Sequence, residues 1–182
     1  MDEVQILFEI HDKKKAYLDI ETDFSGHICV IGIARENEQF VQFYGEDVIT
    51  QNIERILVTQ DVIVTFNGER FDLPVIKKQL NLDLKESHLT VDLYILKKKI
   101  GIKGGLKEIE KLFGIKRNTT DLTGYDACRL WERYIRYGDR GALDLLLEYN
   151  KEDVINLIQV ENLLRSLLRG KYDRGIRNPV KL

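Results

Sequence analysis

Tyr17-Leu18-Asp19-Ile20-Glu21-Thr22, followed by HICVIGIAR (27–35) and EQFVQFYG (38–45), is the stretch that decides the fold. Residues 16–20 alternate with strand character, the next two segments read as further strands, and Glu36-Asn37-Glu38 supplies the turn between them. Three such strands in succession make an antiparallel meander. Downstream the period changes: Val48, Ile49, Ile53, Ile56 and Leu57 recur at helical spacing between Asp47 and Val58, and VIVTF (62–66) is a short β-branched run suited to a buried strand. Phe71 to Leu80 is helical in pattern, HLTVDLYIL (88–96) contains a last strand running into a lysine-rich helical turn, and everything after Gly105 is helical. The order β-β-β-α-β-α-β plus helices predicts an α/β fold. Its mixed five-stranded sheet has three antiparallel strands and then two reached by crossovers, with helices on its faces.

The 182 residues suit one compact domain, 1–182, and a hydrophobic content of 43% is ordinary for a globular chain. The segment 170–182, GKYDRGIRNPVKL, carries glycine and proline punctuation with a basic excess and reads as a flexible basic tail. MDEVQILFEIHDKKK at the N-terminus has an acidic start and a short apolar stretch broken by Glu9. It fits neither a secretory signal nor a membrane span, so the expectation is a cytoplasmic protein with no membrane partner. Cys29 and Cys128 form no CxxC and read as reduced, packed thiols rather than a disulfide or zinc site. The net charge of −2 gives no basic footprint of the kind nucleic-acid enzymes usually carry. The lysine groups Lys13 to Lys15, Lys77 with Lys78, and Lys97 to Lys99 read as solvated faces that could add a backbone-tracking surface.

The chemistry concentrates in acids. A strand puts residues i and i+2 on one face and a helix does the same for i and i+4. Asp19 and Glu21 therefore share a face opposite Leu18 and Ile20, and Tyr149 shares one with Asp153 in YNKED. Asp72, in FNGERFD, adds a third segment. Carboxylates crowded together repel unless a cation neutralises them, so the economical reading is a divalent-metal site of the kind two-metal phosphodiester hydrolysis needs. Each local feature also has a plain structural reading. Asp19 and Glu21 could begin the turn at ETDFSG, Asp72-Leu73-Pro74 resembles a helix N-cap followed by proline, and Tyr149 could be a half-buried packing residue. Asn150, Asp153 and Asn156, however, sit inside the strongest helical pattern of the chain despite poor helix propensity, a conflict expected at functional sites. Gly101 to Gly105 matches no phosphate-binding loop and reads as a connector; Asp92, after a strand, reads as an outer acid or a helix cap.

Taken together, Asp19-Ile20-Glu21, Asn67 through Phe71-Asp72, and Tyr149-x3-Asp153 resemble the three exonuclease motifs of the DEDD superfamily, within the RNase H-like fold. The second segment matches the family B DNA polymerase proofreading domain, and the tyrosine marks the DEDDy branch. GLKEIEKLFGI, GYDACRLWERYIRYGD and LLLEYNKEDVINL look still more like the stand-alone predicted exonucleases of the YprB-like group. The resemblance implies a 3′→5′ exonuclease acting on single-stranded DNA or RNA with a free 3′ end. Asp19, Glu21, Asp72 and Asp153 would hold two Mg²⁺ or Mn²⁺ ions and Tyr149 would position the attacking water. Thr22, Phe24, Asn67 and Phe71 would meet the terminal nucleotide. All-oxygen ligation independently favours those hard cations. A catalytically silent nucleic-acid-binding module and an RNase H-like endonuclease are the alternatives; nothing in the sequence separates DNA from RNA.

Overall fold

The computed structural model describes residues 7–35 and 40–173. Five strands form one sheet in the order β3-β2-β1-β4-β5: β1 Lys15–Thr22, β2 Ile28–Arg35, β3 Val41–Tyr44, β4 Val62–Thr65 and β5 Leu89–Asp92. β1 pairs antiparallel with β2, which pairs antiparallel with β3, whereas β1, β4 and β5 run parallel. The helices are α1 Thr50–Leu57, α2 Asp72–Leu80, α3 Leu84–Ser87, α4 Leu93–Lys99, α5 Leu106–Phe113, α6 Gly124–Tyr137 and α7 Arg140–Asp173.

Strand alternation divides the core in two. Ala16, Leu18 and Ile20 of β1 pack with Ile31, Ile33 and Ile63 against Ile53 and Leu57 of α1 and Leu73 and Ile76 of α2. Tyr17 points the other way, into a cluster with Val62, Val64 and Val91 and with Leu96, Ile109, Val154, Leu157, Val160 and Leu164 of α4, α5 and α7. A third cluster joins Cys29 and Val30 to Ala127 and Leu130 of α6 and to Leu146 and Tyr149 of α7. The central strand is thus apolar on one face throughout. On the other it changes from Tyr17 to Asp19 and Glu21 as it leaves the core.

Helix α7 crosses that second face, and the sequence makes room for it. Gly32 lies opposite Asp19 in the β1–β2 ladder. A β-carbon there would come within 2.9 Å of Val154 Cγ2 and would also strike the Asn150 side chain, so only glycine lets the helix lie this close.

One expectation needs adjustment. Phe71, not Asp72, occupies the N-cap position of α2, and Asp72 is the first helical residue. Of the expected tail 170–182, residues 170–173 continue α7 and residues 174–182 lie outside the described residues. On α6, Trp131 packs against the third cluster and Tyr137 is exposed. The turn Glu36-Asn37-Glu38 and residues 1–6 also lie outside the described residues. Among the described residues no helix is long and apolar enough to cross a membrane.

Candidate metal centre

Parallel pairing of β1 with β4 covers only Lys15–Tyr17; beyond it the two strands part. The carboxyl ends of β1, β4 and β5 therefore open a crevice, the place where open α/β sheets bind ligands. Asp19 and Glu21 stand on its β1 wall. The register of β1 on β2 slips between Glu21 and Thr22, a bulge that re-aims the end of the strand. The N–H of Ile20, facing the gap left by β4, is taken up by Asp72 Oδ1 at 3.0 Å.

On the opposite wall α7 supplies Asp153, so that one oxygen from each of Asp19, Glu21 and Asp153 lies within 4.8 Å of the others. Asn150 fixes helix to strand: its Nδ2 donates to the Asp19 carboxylate at 2.9 Å and to the Asp19 carbonyl at 3.2 Å. Gln42 on β3 orients that amide in turn by donating to Asn150 Oδ1 at 2.8 Å. Asp72 is not a fourth member of the compact trio but stands beside it.

The electrostatics are those of like charges held together. Burial raises the Asp19 carboxyl, and the charges of Asp72 and Glu21 raise it further, against the opposing Asn150 bond. Burial, then Asp72, pushes Glu21 up to about 8. Burial pushes Asp72 up to about 7 despite its bond from Ile20 N–H. Tyr149, one turn before Asp153, is buried beside Glu21 and Asp19, and burial followed by those charges holds its phenol far on the protonated side.

Two cations flank this group. The Arg117 guanidinium donates to Asp153 and lies 3.1 Å from Glu110 Oε2, wholly inside the protein. Glu152 anchors the Arg117 loop to α7 by accepting the N–H groups of Asn118 at 2.6 Å and Thr119 at 3.0 Å. Lys107 Nζ, buried and without a hydrogen-bond partner, sits 4.9 Å from the centre of the Tyr149 ring. These two charges and the Asn150 bridge are site features that sequence reasoning missed. Gly32 within a β-branched strand and Asn150 within an apolar helix were the signals that could have found the bridge.

The floor of the crevice is shaped by the loop after β4. Asn67 adopts a left-handed backbone, φ 65°. Asp92 at the end of β5 holds it there by accepting the N–H groups of Asn67 at 2.7 Å and Glu69 at 3.2 Å, while also capping α4 through Tyr94 N at 2.9 Å. A cavity of about 370 Å³ results, lined by Asp19, Asn67, Tyr94, Leu106 and Asp153 among others. A second, of about 350 Å³, shares Leu106 and Asp153 and reaches Lys107, Thr123 and Tyr149. Phe24 is 53% exposed and meets Tyr125 edge to face at 5.5 Å; Phe71 is 43% exposed, so neither is core. Thr22, partly buried at the bulge, accepts the Cys128 thiol on its carbonyl at 3.1 Å.

The sequence that builds this crevice is matched by a family profile. The profile of the RNase_H superfamily, RNase_H_2, covers residues 16–165. The chain belongs to the RNase_H superfamily. Among solved structures it is similar to the family B DNA polymerase of the hyperthermophilic archaeon Pyrobaculum calidifontis, with 17% identity and a TM-score of 0.61. The likeness covers 88% of this chain and 24% of the polymerase chain, so the protein spans about a quarter of that relative and shares its fold there. No curated protein matches its sequence. The superfamily is one of nucleases, and the oxygen-only donor set of Asp19, Glu21 and Asp153 fits a hard divalent cation.

Proposed function

We propose that this RNase H-like protein is a 3′→5′ exonuclease that hydrolyses single-stranded nucleic acid ends with two Mg²⁺ or Mn²⁺ ions. The observation that carries the reading is the convergence of Asp19, Glu21 and Asp153 within 4.8 Å in an open crevice, with Asp72 beside them. Asp19, Glu21, Asp72 and Asp153 would hold the cations, which, when bound, supply Lewis-acid stabilisation of the attacked phosphate and of the departing oxygen. Everything else falls to the chain. Asn150 and the Ile20 N–H fix the Asp19 and Asp72 carboxylates before substrate arrives, which is the preorganisation electrostatic catalysis requires. The Tyr149 phenol, kept protonated by burial, serves as a hydrogen-bonding group that orients the attacking water rather than as its base. Asn67 lines the cavity where a terminal nucleotide would sit, and Thr22, Phe24 and Phe71 border the crevice around it. A cytoplasmic setting belongs to the same proposal; both cysteines are free thiols, the state a reducing compartment maintains.

The test is digestion of 5′-end-labelled and circular single strands with Mn²⁺, using Asp72→Asn as the control. Asparagine keeps an oxygen for the Ile20 N–H but removes the ligand charge, so the variant stays folded and inactive. Ladders shortening from the 3′ end support the reading. Cut circles would make the protein an endonuclease, intact strands a binding module, and full activity of Asp72→Asn would remove that residue from the site.

A further inference from the structure

Asp153 reaches the crevice from α7 with an arginine already on it. Arg117, from the loop between α5 and α6, donates to Asp153 Oδ1, and its Nε lies 3.1 Å from Glu110 Oε2 on α5. Glu110 accepts from Asn156 Nδ2 on its other oxygen at 2.8 Å, and Asn156 stands three residues beyond Asp153 on α7. The chain of contacts therefore leaves α7 at Asp153 and returns to it at Asn156. The side chains of Arg117, Glu110 and Asn156 are all buried.

The plain reading is a buried ion pair that staples the loop to α7. As a staple it is poorly finished. Among the described residues Arg117 Nε and Nη1 and Glu110 Oε2 have no hydrogen-bond partner, although all three atoms are closed to solvent. Buried charge of this kind often stabilises a fold no better than apolar side chains of the same volume. A second contact points to the site instead. The same guanidinium lies 5.6 Å from the centre of the Tyr149 ring, so one side chain meets both the acid and the phenol that α7 brings to the crevice.

We infer that Arg117 is a positioning residue for the cation site: it fixes the Asp153 carboxylate through one oxygen so that the other faces Asp19 and Glu21, and it seats the Tyr149 ring beside that acid. Glu110 acts through Arg117, and Asn156 sets Glu110. The planar fork of a guanidinium holds several partners in a fixed geometry, which the point charge of a lysine ammonium does not. The inference rests on the metal-binding reading of the site, but it is measured as cation uptake, without hydrolysis.

The experiment is calorimetric titration with Mn²⁺, with Tm measured in chelator, on the wild type, Arg117→Lys, Glu110→Gln, the double variant, and Arg165→Lys as a control. Arg165 is likewise buried, and it donates to Glu161 one turn away on α7. Arg117→Lys keeps the charge and is expected to weaken Mn²⁺ binding roughly 10–100-fold, the usual worth of an outer partner of a metal ligand. Glu110→Gln is expected to weaken it in the same direction, and the double variant no further than Arg117→Lys alone, because the two residues act as one unit. Arg165→Lys is expected to lower Tm and leave the affinity unchanged. Wild-type affinity in Arg117→Lys, or losses that simply add in the double variant, overturns the inference and makes the guanidinium a counter-charge or a staple only. Equal weakening in Arg165→Lys overturns it as well. Should Arg117→Lys fail to fold, Glu110→Gln carries the test, and unchanged affinity there overturns the inference. A wild type that takes up no Mn²⁺ removes the metal reading and the inference together, whereas uptake with any of the other adverse outcomes leaves the metal reading standing.

Discussion

β1 and α7 meet twice, and both meetings bury charge. At the first, Lys15 Nζ lies 3.3 Å from Glu161 Oε1, Tyr17 donates to Glu161 Oε2 at 2.6 Å, and Arg165 donates to Glu161 from one helical turn further on. At the second, two and four residues along the strand from Tyr17, Asp19 and Glu21 face Asp153, and among the described residues Arg117 is the one cation that bonds to any of the three. The first cluster closes on itself because every charge has an opposite beside it. The second brings like charges together, and burial, with the neighbouring carboxylates adding to it, raises Asp19 and Glu21. One strand and one helix therefore carry both a structural joint and a receptor for cations, and the sign of the side chains decides which is which.

The sharpest way to break the comparison is to remove an acid from the second meeting. Asp19→Ala and Asp153→Asn should each lower strand hydrolysis on the order of 10³-fold or more, since several kcal/mol of transition-state stabilisation goes with the ion. Circular dichroism should remain that of the folded protein, and the rise in Tm on adding Mn²⁺ should vanish. Hydrolysis within tenfold of wild type in both variants would rule out the proposed centre.

Removing the acid from the first meeting should do the converse. Glu161→Gln leaves Lys15 and Arg165 buried without their shared counter-charge, which costs about 3–5 kcal/mol of stability in comparable buried pairs. The denaturation midpoint should fall accordingly, while hydrolysis per folded molecule holds. A stable Glu161→Gln protein with impaired hydrolysis would erase the distinction between joint and receptor.

Much of this arrangement was legible in the sequence, and the parts that were not share a cause. Period-two alternation around Asp19 and Glu21 set their face, and the meander with its crossovers set the sheet, because both follow from local pattern. The N-cap reading of Asp72 went astray because the carboxylate is claimed by Ile20 N–H, and that N–H is available only where β1 and β4 part, a fact of tertiary geometry. Arg117 is likewise placed by Glu152 holding its loop, a contact between distant segments that no spacing announces.

A gentler test keeps all the acids and loosens their support. Asn150→Ala removes the amide that ties Asp19 to α7, as well as the partner of Gln42. Outer partners of metal ligands are typically worth 10–100-fold in affinity or activity. Calorimetric Mn²⁺ affinity should weaken by that factor with the apo Tm little changed. No change in affinity would mean that Asp19 is positioned by the strand alone.

The smallest effect is in pH, and it distinguishes the two meetings without touching the ion. Glu21 is held near 8 in the folded protein against an ordinary 4.5, and Asp72 near 7 against 3.8, so the folded chain binds these protons more tightly than the unfolded one. Their contribution to stability is complete below about pH 4 and is lost as pH rises through 7 to 8. In chelator, wild-type Tm should therefore fall relative to Glu21→Gln between pH 5 and 8, by an amount on the order of 5 °C for a chain of this size. Mn²⁺ should oppose the fall, because metal ligands must be deprotonated and its stabilisation grows over the same interval. Parallel Tm curves for wild type and Glu21→Gln in chelator would mean that the carboxylates are not under mutual repulsion, and that the second meeting is as well satisfied as the first.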